Sequence, residues 1–248
     1  PHIPSVNIRT TGIEIMLNAY KETIGNTNDY LTNGKVIYWK NVRKMVEVLK
    51  RDEYENLINE YKLRRKLSSK SYDSETIEDK LTFVPIRNRE KEEYINPFEK
   101  GWEHRYYRTL FDIEINQNRK KEICINYLEA LEWTMKYYTI GCYDWNWHYK
   151  YSYPPLMKDL LEFMPVFETE FVEKKPKNPL KPLQQLSYVL PKPALHLLPE
   201  NIRTQLLFNY PEWYNTDCEF QWEFCKYFWE SHVIMKTIKL DKLKEIIV

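Results

Sequence analysis

The sequence predicts a mainly α fold, an irregular multi-helix domain with a Pro-rich extended segment and few or no strands. Three observations lead there. Apolar residues recur at three- and four-residue steps along most of the chain, which places them on one face of a helix. The pattern of a parallel sheet is nearly absent, and no internal repeat is present. Six prolines, at positions 176, 179, 182, 191, 193 and 199, fall in one stretch and confine it to extended backbone and short helices.

Taken in order, Ile13, Met16, Leu17, Tyr20 and Ile24 mark a first helix, ended by Gly25 and the Asn/Thr cluster after it. Val42, Met45, Val46 and Leu49 form a second stripe, and Tyr54, Leu57, Ile58 and Tyr61 a third. The third runs into Lys62, Arg64, Arg65 and Lys66, which suit a solvated helix C-terminus, where cations complement the dipole. A phosphate-contacting patch is the alternative there. Residues from about 68 to 96 are polar, charged and weakly periodic, so a charged mobile connection with room for a short helix is expected.

Order returns at Asn96-Pro97, and residues 101–111 mix aromatics with cations. The clearest helix runs from Lys120 to about Thr139. Cys124, Tyr127, Leu128, Leu131, Met135 and Tyr138 line one face, with Trp133 and Tyr137 offset from it. Gly141 is placed to end that helix. Leu156, Leu160, Leu161 and Met164 make another short one. Short helices are expected at 183–190 and 200–208. Phe220, Trp222 and Phe224 alternate as in a strand, whereas 225–229 is apolar on every side and reads as a buried helix. Leu240, Leu243, Ile246 and Ile247 close the chain on a helical face.

Composition excludes several function classes. Hydrophobic residues at 43% and charged residues at 29% describe an ordinary globular chain with ample core. Only 5 glycines are present, and neither G-x-G-x-x-G nor G-x-x-x-x-G-K-[ST] occurs, which argues against a phosphate-cradling nucleotide fold. A net charge near +1 gives no global field for nucleic acid, so any such contact must be local. The four cysteines form no C-x-x-C pair and the five histidines lack zinc-ligand spacing, which reads as reduced thiols in an intracellular protein. No apolar run is long enough for a membrane span, and no signal peptide is visible. A cytoplasmic location is expected, with a nuclear one as the alternative. The chain opens at Pro1, so it is expected to be a piece of something longer.

No H-E-x-x-H, G-x-S-x-G or Cys/His pairing stands out, and the acids are scattered through charge-mixed stretches. No catalytic or metal-binding residue is therefore expected in this chain. Asp144 and Asp159 are expected to cap helices or form ion pairs. The informative stretch is 141–159. It sets Trp145 and Trp147 two residues apart, then alternates Tyr149, Tyr151 and Tyr153 before Pro154-Pro155. Aromatics are 15% of the chain, and so many flat rings in one segment suit either stacking on bases or a rigid aromatic corner.

The residues around that segment resemble the XRN family of 5′→3′ exoribonucleases. Tyr127-Leu128-Glu129-Ala130-Leu131-Glu132-Trp133, Tyr137-Tyr138, Gly141-Cys142, Trp145-Asn146-Trp147 and the Tyr149, Tyr151, Tyr153, Pro155 series follow its central signature. Pro1-His2-Ile3-Pro4-Ser5 with Ile8-Arg9 and Ile13, Gly101-Trp102 with Arg105-Tyr106-Tyr107, Pro182-Leu183 with Gln185-Leu186 and Val189-Leu190-Pro191, and Tyr210-Pro211 with Asp217 and Trp222-Glu223 match in family order.

The resemblance implies that residues 1–248 are the helical domain that follows an N-terminal catalytic domain absent from this chain. That preceding domain would carry the acidic residues that bind Mg²⁺, the last of them in a G-N-D-F-L motif. The full protein would hydrolyse single-stranded RNA from a 5′-monophosphate end. This segment would wall the cleft and help to position and gate the RNA, and alone it is expected to be inactive. The alternative is a catalytically inactive RNA-binding or scaffold homologue. Trp145, Trp147, His148, Tyr149 and Lys150 are the candidate RNA-binding residues, with one tryptophan packing and the other facing RNA, in either assignment. Asp144 stands where the family has Ser, His148 for a Tyr, Lys150 for a Pro, Ser152 for a His and Pro154 for an Ala. Polar contacts through those positions are not carried over, though His148 and Lys150 could add cationic character. Trp102, Tyr106, Tyr107, Trp133, Tyr137 and Tyr138 are expected in the core, and Arg105 in a structural role.

Overall fold

A computed structural model of the chain describes residues 12–69, 76–175 and 178–247. It is mainly helical, and the chain divides into two compact units, Pro1–Pro176 with Trp222–Glu230, and Lys177–Gln221 with Ser231–Val248. The opening residues of the resemblance, Pro1 to Arg9, lie outside the described residues.

The first unit begins with α1 (Gly12–Thr23) and α2 (Trp39–Ser68). The second and third apolar stripes belong to this one helix. No glycine or proline interrupts its 30 residues, which at about 1.5 Å each span roughly 45 Å. Three short helices follow, α3 (Ile77–Thr82), α4 (Val84–Arg87) and α5 (Glu90–Ile95). Then come α6 (Trp102–Phe111), α7 (Gln117–Thr139) and α8 (Met157–Phe163). Asn116 caps α7 by accepting the Arg119 backbone N–H at 3.0 Å, so the helix starts at Gln117, three residues before the expected start at Lys120.

The core of this unit has two parts, and α7 feeds both. Cys124 and Leu128 pack with Trp39, Val46, Leu160 and Met164, while Ile123 packs with Tyr106, Tyr107, Leu110, Tyr153 and Leu156.

The stretch 68–96, expected to be a charged mobile connection with room for a short helix, holds three short helices in its described part. Its charges do not all face water. Arg64, Arg89 and Glu92 are buried, as are Ile86 and Ile95. Glu92 accepts Arg64 Nη2 at 2.6 Å, Arg64 Nε and Arg89 Nε each at 2.8 Å, and the Phe224 N–H at 2.8 Å. Arg64 also donates to the carbonyls of Pro85 and Cys225. So Arg64 does not belong to a solvated helix end. Its side chain ties α2, α4, α5 and the 222–230 segment together.

That last segment corrects a second expectation. Residues 225–229 form no buried α-helix. Phe224 takes a positive φ of 63°, the Glu230 carboxylate accepts the Lys226 N–H at 2.7 Å, and only the 3₁₀ turn Phe228–Glu230 follows, with Trp229 69% exposed. An αL residue at 224 breaks the helical run that its apolar neighbours suggested.

The second unit holds α9 (Pro182–Val189), a 3₁₀ turn Lys192–Leu197, α10 (Glu200–Asn209) and a 3₁₀ turn Pro211–Tyr214. After these come β1 (Glu219–Gln221), β2 (His232–Ile234) and α11 (Leu240–Ile246). The strand alternation read at 220–224 is real only at its start. β1 pairs antiparallel with β2, Phe220 opposite Val233. Leu195, Leu198, Leu206, Trp213, Tyr214 and Leu243 are among the residues of its core. Tyr214 donates its hydroxyl to the Ser187 carbonyl at 2.7 Å, and Gln184 reaches the Ile247 carbonyl at 2.6 Å.

Candidate nucleic-acid interface

Helix α7 supplies the root of the aromatic segment. Trp133 and Tyr137 lie four residues apart, on one side of the helix. Their rings stack with centroids 5.2 Å apart and planes 15° apart. Gly141, with φ at 121°, turns the chain back, and its N–H bonds the Lys136 carbonyl at 2.9 Å. The segment then folds over the helix it has just left. Trp133 donates its indole N–H to the Asp144 carbonyl at 3.0 Å, and Trp147 stacks on Trp133 at 5.7 Å and 21°.

Asp144 stabilises that fold-back from inside. It is buried, accepts the Asn146 N–H at 2.9 Å and pairs with Lys175 at 3.1 Å. The Lys175 N–H in turn bonds the Tyr143 carbonyl at 2.8 Å, so 174–175 runs alongside the segment. Asp144 thus forms the ion pair that its position suggested.

The five candidate RNA-binding residues separate into two groups. Trp145 is 50% exposed, and His148 and Lys150 are exposed as well. Trp147 is partly buried in its stack on Trp133. Tyr149 is packed: it donates its hydroxyl to the Tyr153 carbonyl at 2.7 Å and meets Tyr127 and Tyr151 edge-on. Burial pushes its phenol far above the ordinary tyrosine range. Of the two tryptophans, Trp147 packs and Trp145 is presented. Lys150 also lines an open groove of about 500 Å³ with Lys121, Asn126, Glu129 and Tyr151.

Buried polar groups fasten the far end of the segment. Tyr153 donates to the Glu223 carbonyl at 3.0 Å, and Tyr106 to the Pro154 carbonyl at 2.9 Å. Tyr107 donates to Asp159 at 2.7 Å and accepts the Leu156 N–H at 3.2 Å. Asp159 is also paired with Lys120 at 2.7 Å. Glu53 of α2 accepts the Met157 N–H at 2.7 Å, capping α8 from outside. Burial pushes the Glu53 carboxyl up to about 7, against the hydrogen bonds from the Met157 and Lys158 backbone.

Two expected core residues are not in the core. Tyr137 is 43% exposed and Tyr138 81% exposed, because α7 runs past the packed layer before Gly141 turns the chain. Tyr106 and Tyr107 are buried as expected. Arg105 is structural: its guanidinium donates to the carbonyls of Tyr94, Ile95, Asn96, Glu99 and Lys100. Reading the sequence missed Glu53, Glu92 and Lys175. Glu92 and Lys175 sit in charged, weakly patterned stretches and Glu53 lies between two apolar stripes, and no local signal marks the partner of any of them.

Among the described residues no three His, Cys, Asp or Glu side chains converge as a metal site. No helix among them is long and apolar enough to cross a membrane.

Comparison with known proteins places this arrangement. A 5′-3′ exoribonuclease 2 from Gallus gallus is 29% identical over 161 residues, covering 62% of this chain and 16% of the relative. A 5′-3′ exoribonuclease 2 homolog from Drosophila melanogaster is 25% identical over 245 residues, covering 81% of the chain and 27% of the relative. The 5′-3′ exoribonuclease 2 of Saccharomyces cerevisiae is 32% identical over 162 residues, 61% of the chain and 15% of its own length. The chain therefore spans roughly a sixth to a quarter of these relatives. A family model described as the Xrn1 helical domain matches residues 1–84 and 85–245. The chain belongs to the Xrn1 helical domain family.

Proposed function

We propose that this chain is the helical domain of a 5′→3′ exoribonuclease acting on single-stranded RNA with a 5′-monophosphate. In this reading the segment 141–159 forms part of the wall of the active-site cleft, and Trp145 stacks on a nucleotide entering it. The observation that carries the proposal is the division of labour between the two tryptophans. Trp147 is stacked on Trp133, whereas Trp145, two residues earlier, is half exposed. An exposed indole offers a face on which a base can stack, and stacking tolerates any base, as stepwise degradation requires. His148 and Lys150 beside it would meet the phosphates.

Hydrolysis is assigned to a preceding nuclease domain of the same polypeptide. The described residues here do not fit a Mg²⁺ ion, because no acidic cluster is present. The metal, when bound by that domain, would stabilise charge on the scissile phosphate. Action in the cytoplasm is part of the proposal, and imaging of the tagged full-length protein tests it.

The two-part assignment is tested by comparing this chain with an N-terminally extended version on 5′-monophosphorylated single-stranded RNA with Mg²⁺. The extended protein is expected to degrade the RNA and the chain alone to leave it intact. Hydrolysis by the chain alone would overturn the assignment.

A further inference from the structure

The aromatic stack does not stop at the Trp145–Trp147 segment. Trp133 is shared by two nearly parallel stacks, with Trp147 at 21° and Tyr137 at 15°. Tyr137 remains 43% exposed, and Tyr138, 81% exposed, stands perpendicular to it at 86° with centroids 5.5 Å apart. An exposed ring with a second ring at right angles makes a floor and a wall of nucleobase size.

Two lysines run beside the segment. Lys174 and Lys175 are exposed and held beside Tyr143 and Asp144 by the Lys175 N–H to Tyr143 carbonyl bond of 2.8 Å. Lys174 Nζ lies 6.0 Å from the Tyr143 ring centroid. The charges here balance: Asp144 pairs with Lys175, Glu132 and Glu170 pair with the buried Lys136, and Glu173 beside Lys174 is exposed, so the rings and not the charge define the surface. A parallel aromatic stack with exposed rings at its end is a surface on which the bases of a single strand can stack.

We infer that Tyr137 and Tyr138 form a second base-stacking platform for single-stranded RNA, apart from Trp145. The inference rests on the RNA reading above and extends it: the strand passes over two aromatic steps, so affinity depends on length.

The test is fluorescence anisotropy with the full-length polypeptide, in EDTA to prevent hydrolysis, using 5′-monophosphorylated oligouridylates of increasing length. Wild type is expected to gain affinity with length and then level off. Tyr137→Ala and Tyr138→Ala are each expected to weaken the long oligonucleotides about fivefold or more while leaving the shortest unchanged, and Tyr137→Phe to bind like wild type. Trp145→Ala is expected to weaken all lengths. Tyr138→Ala removes an almost fully exposed ring, so it decides the matter even if Tyr137→Ala disturbs folding. If Tyr138→Ala binds every length like wild type while Trp145→Ala weakens binding, the second platform is refuted alone. If Trp145→Ala also binds like wild type, the RNA reading falls with it.

Discussion

Removing Glu92 should be the most damaging single change in the first unit. Its carboxylate is 2% exposed and serves two buried guanidinium groups, Arg64 at 2.6 and 2.8 Å and Arg89 at 2.8 Å, together with the Phe224 N–H. Glu92→Ala strands two buried cations, and breaking a single buried pair costs about 3–5 kcal/mol. The Phe224 N–H, left without an acceptor, adds about 1 kcal/mol or more. A loss of at least about 4 kcal/mol is therefore expected. With an unfolding entropy of about 2.1 cal/mol/K per residue, that lowers the Tm of this 248-residue chain by about 8 °C or more. Arg89→Met is the internal control. Neither Nη1 nor Nη2 of Arg89 finds a partner among the described residues, and Glu92 still pairs with Arg64 in the variant. Its cost should stay under about 1 kcal/mol, because an apolar side chain of similar volume replaces a poorly satisfied charge. Urea denaturation of the three proteins measures both values. A Glu92→Ala loss below about 1 kcal/mol, or an Arg89→Met loss as large as that of Glu92→Ala, would contradict the described roles.

Two further changes probe the anchoring of the aromatic segment. With its carboxyl raised to about 7 by burial, Glu53 holds its proton in the native state at pH values where the unfolded chain, near 4.5, has lost it. Its contribution to stability is therefore fully present below about pH 4.5 and is lost as pH rises through about 7. Glu53→Gln abolishes that decline, so it should gain up to about 3 kcal/mol on wild type across this window; parallel stability–pH curves would show otherwise. Gly141→Ala places a Cβ where φ is 121°, in space with nothing within 4 Å, so the expected penalty of about 1–2 kcal/mol is backbone strain and not a clash. An unchanged unfolding midpoint would contradict it.

The helical framework was legible because apolar spacing along a helix is a local property. The α7 stripe, Cys124 to Tyr138, lies within Gln117–Thr139, and the stripes at 42–49 and 54–61 merge into α2 because no breaker separates them. What escaped was long-range. Arg64 reads as one more cation at a helix end until Glu92, Pro85 and Cys225 are brought to it, the last from 161 residues away. The same pairing joins α2 to the charged stretch that holds three short helices. At the aromatic segment, composition located the site and the family signature framed it. Only packing distinguishes Trp147, stacked on Trp133, from Trp145, because two residues with the same side chain carry no local sign of which way they turn. Tyr138 shared the helical period of buried neighbours and Tyr137 stood offset beside it, yet α7 outlasts the layer that would have covered them.

The most direct measurement is the steady-state decay of 5′-monophosphorylated single-stranded RNA by the full-length polypeptide and its Trp145→Ala variant, with thermal unfolding recorded on the same samples. Trp145 is half exposed and outside the stack on Trp133, so the variant should keep the wild-type Tm. Its kcat/KM should fall about tenfold, the loss of one base-stacking contact of about 1.4 kcal/mol. An unchanged kcat/KM with an unchanged Tm would mean that Trp145 does not meet RNA.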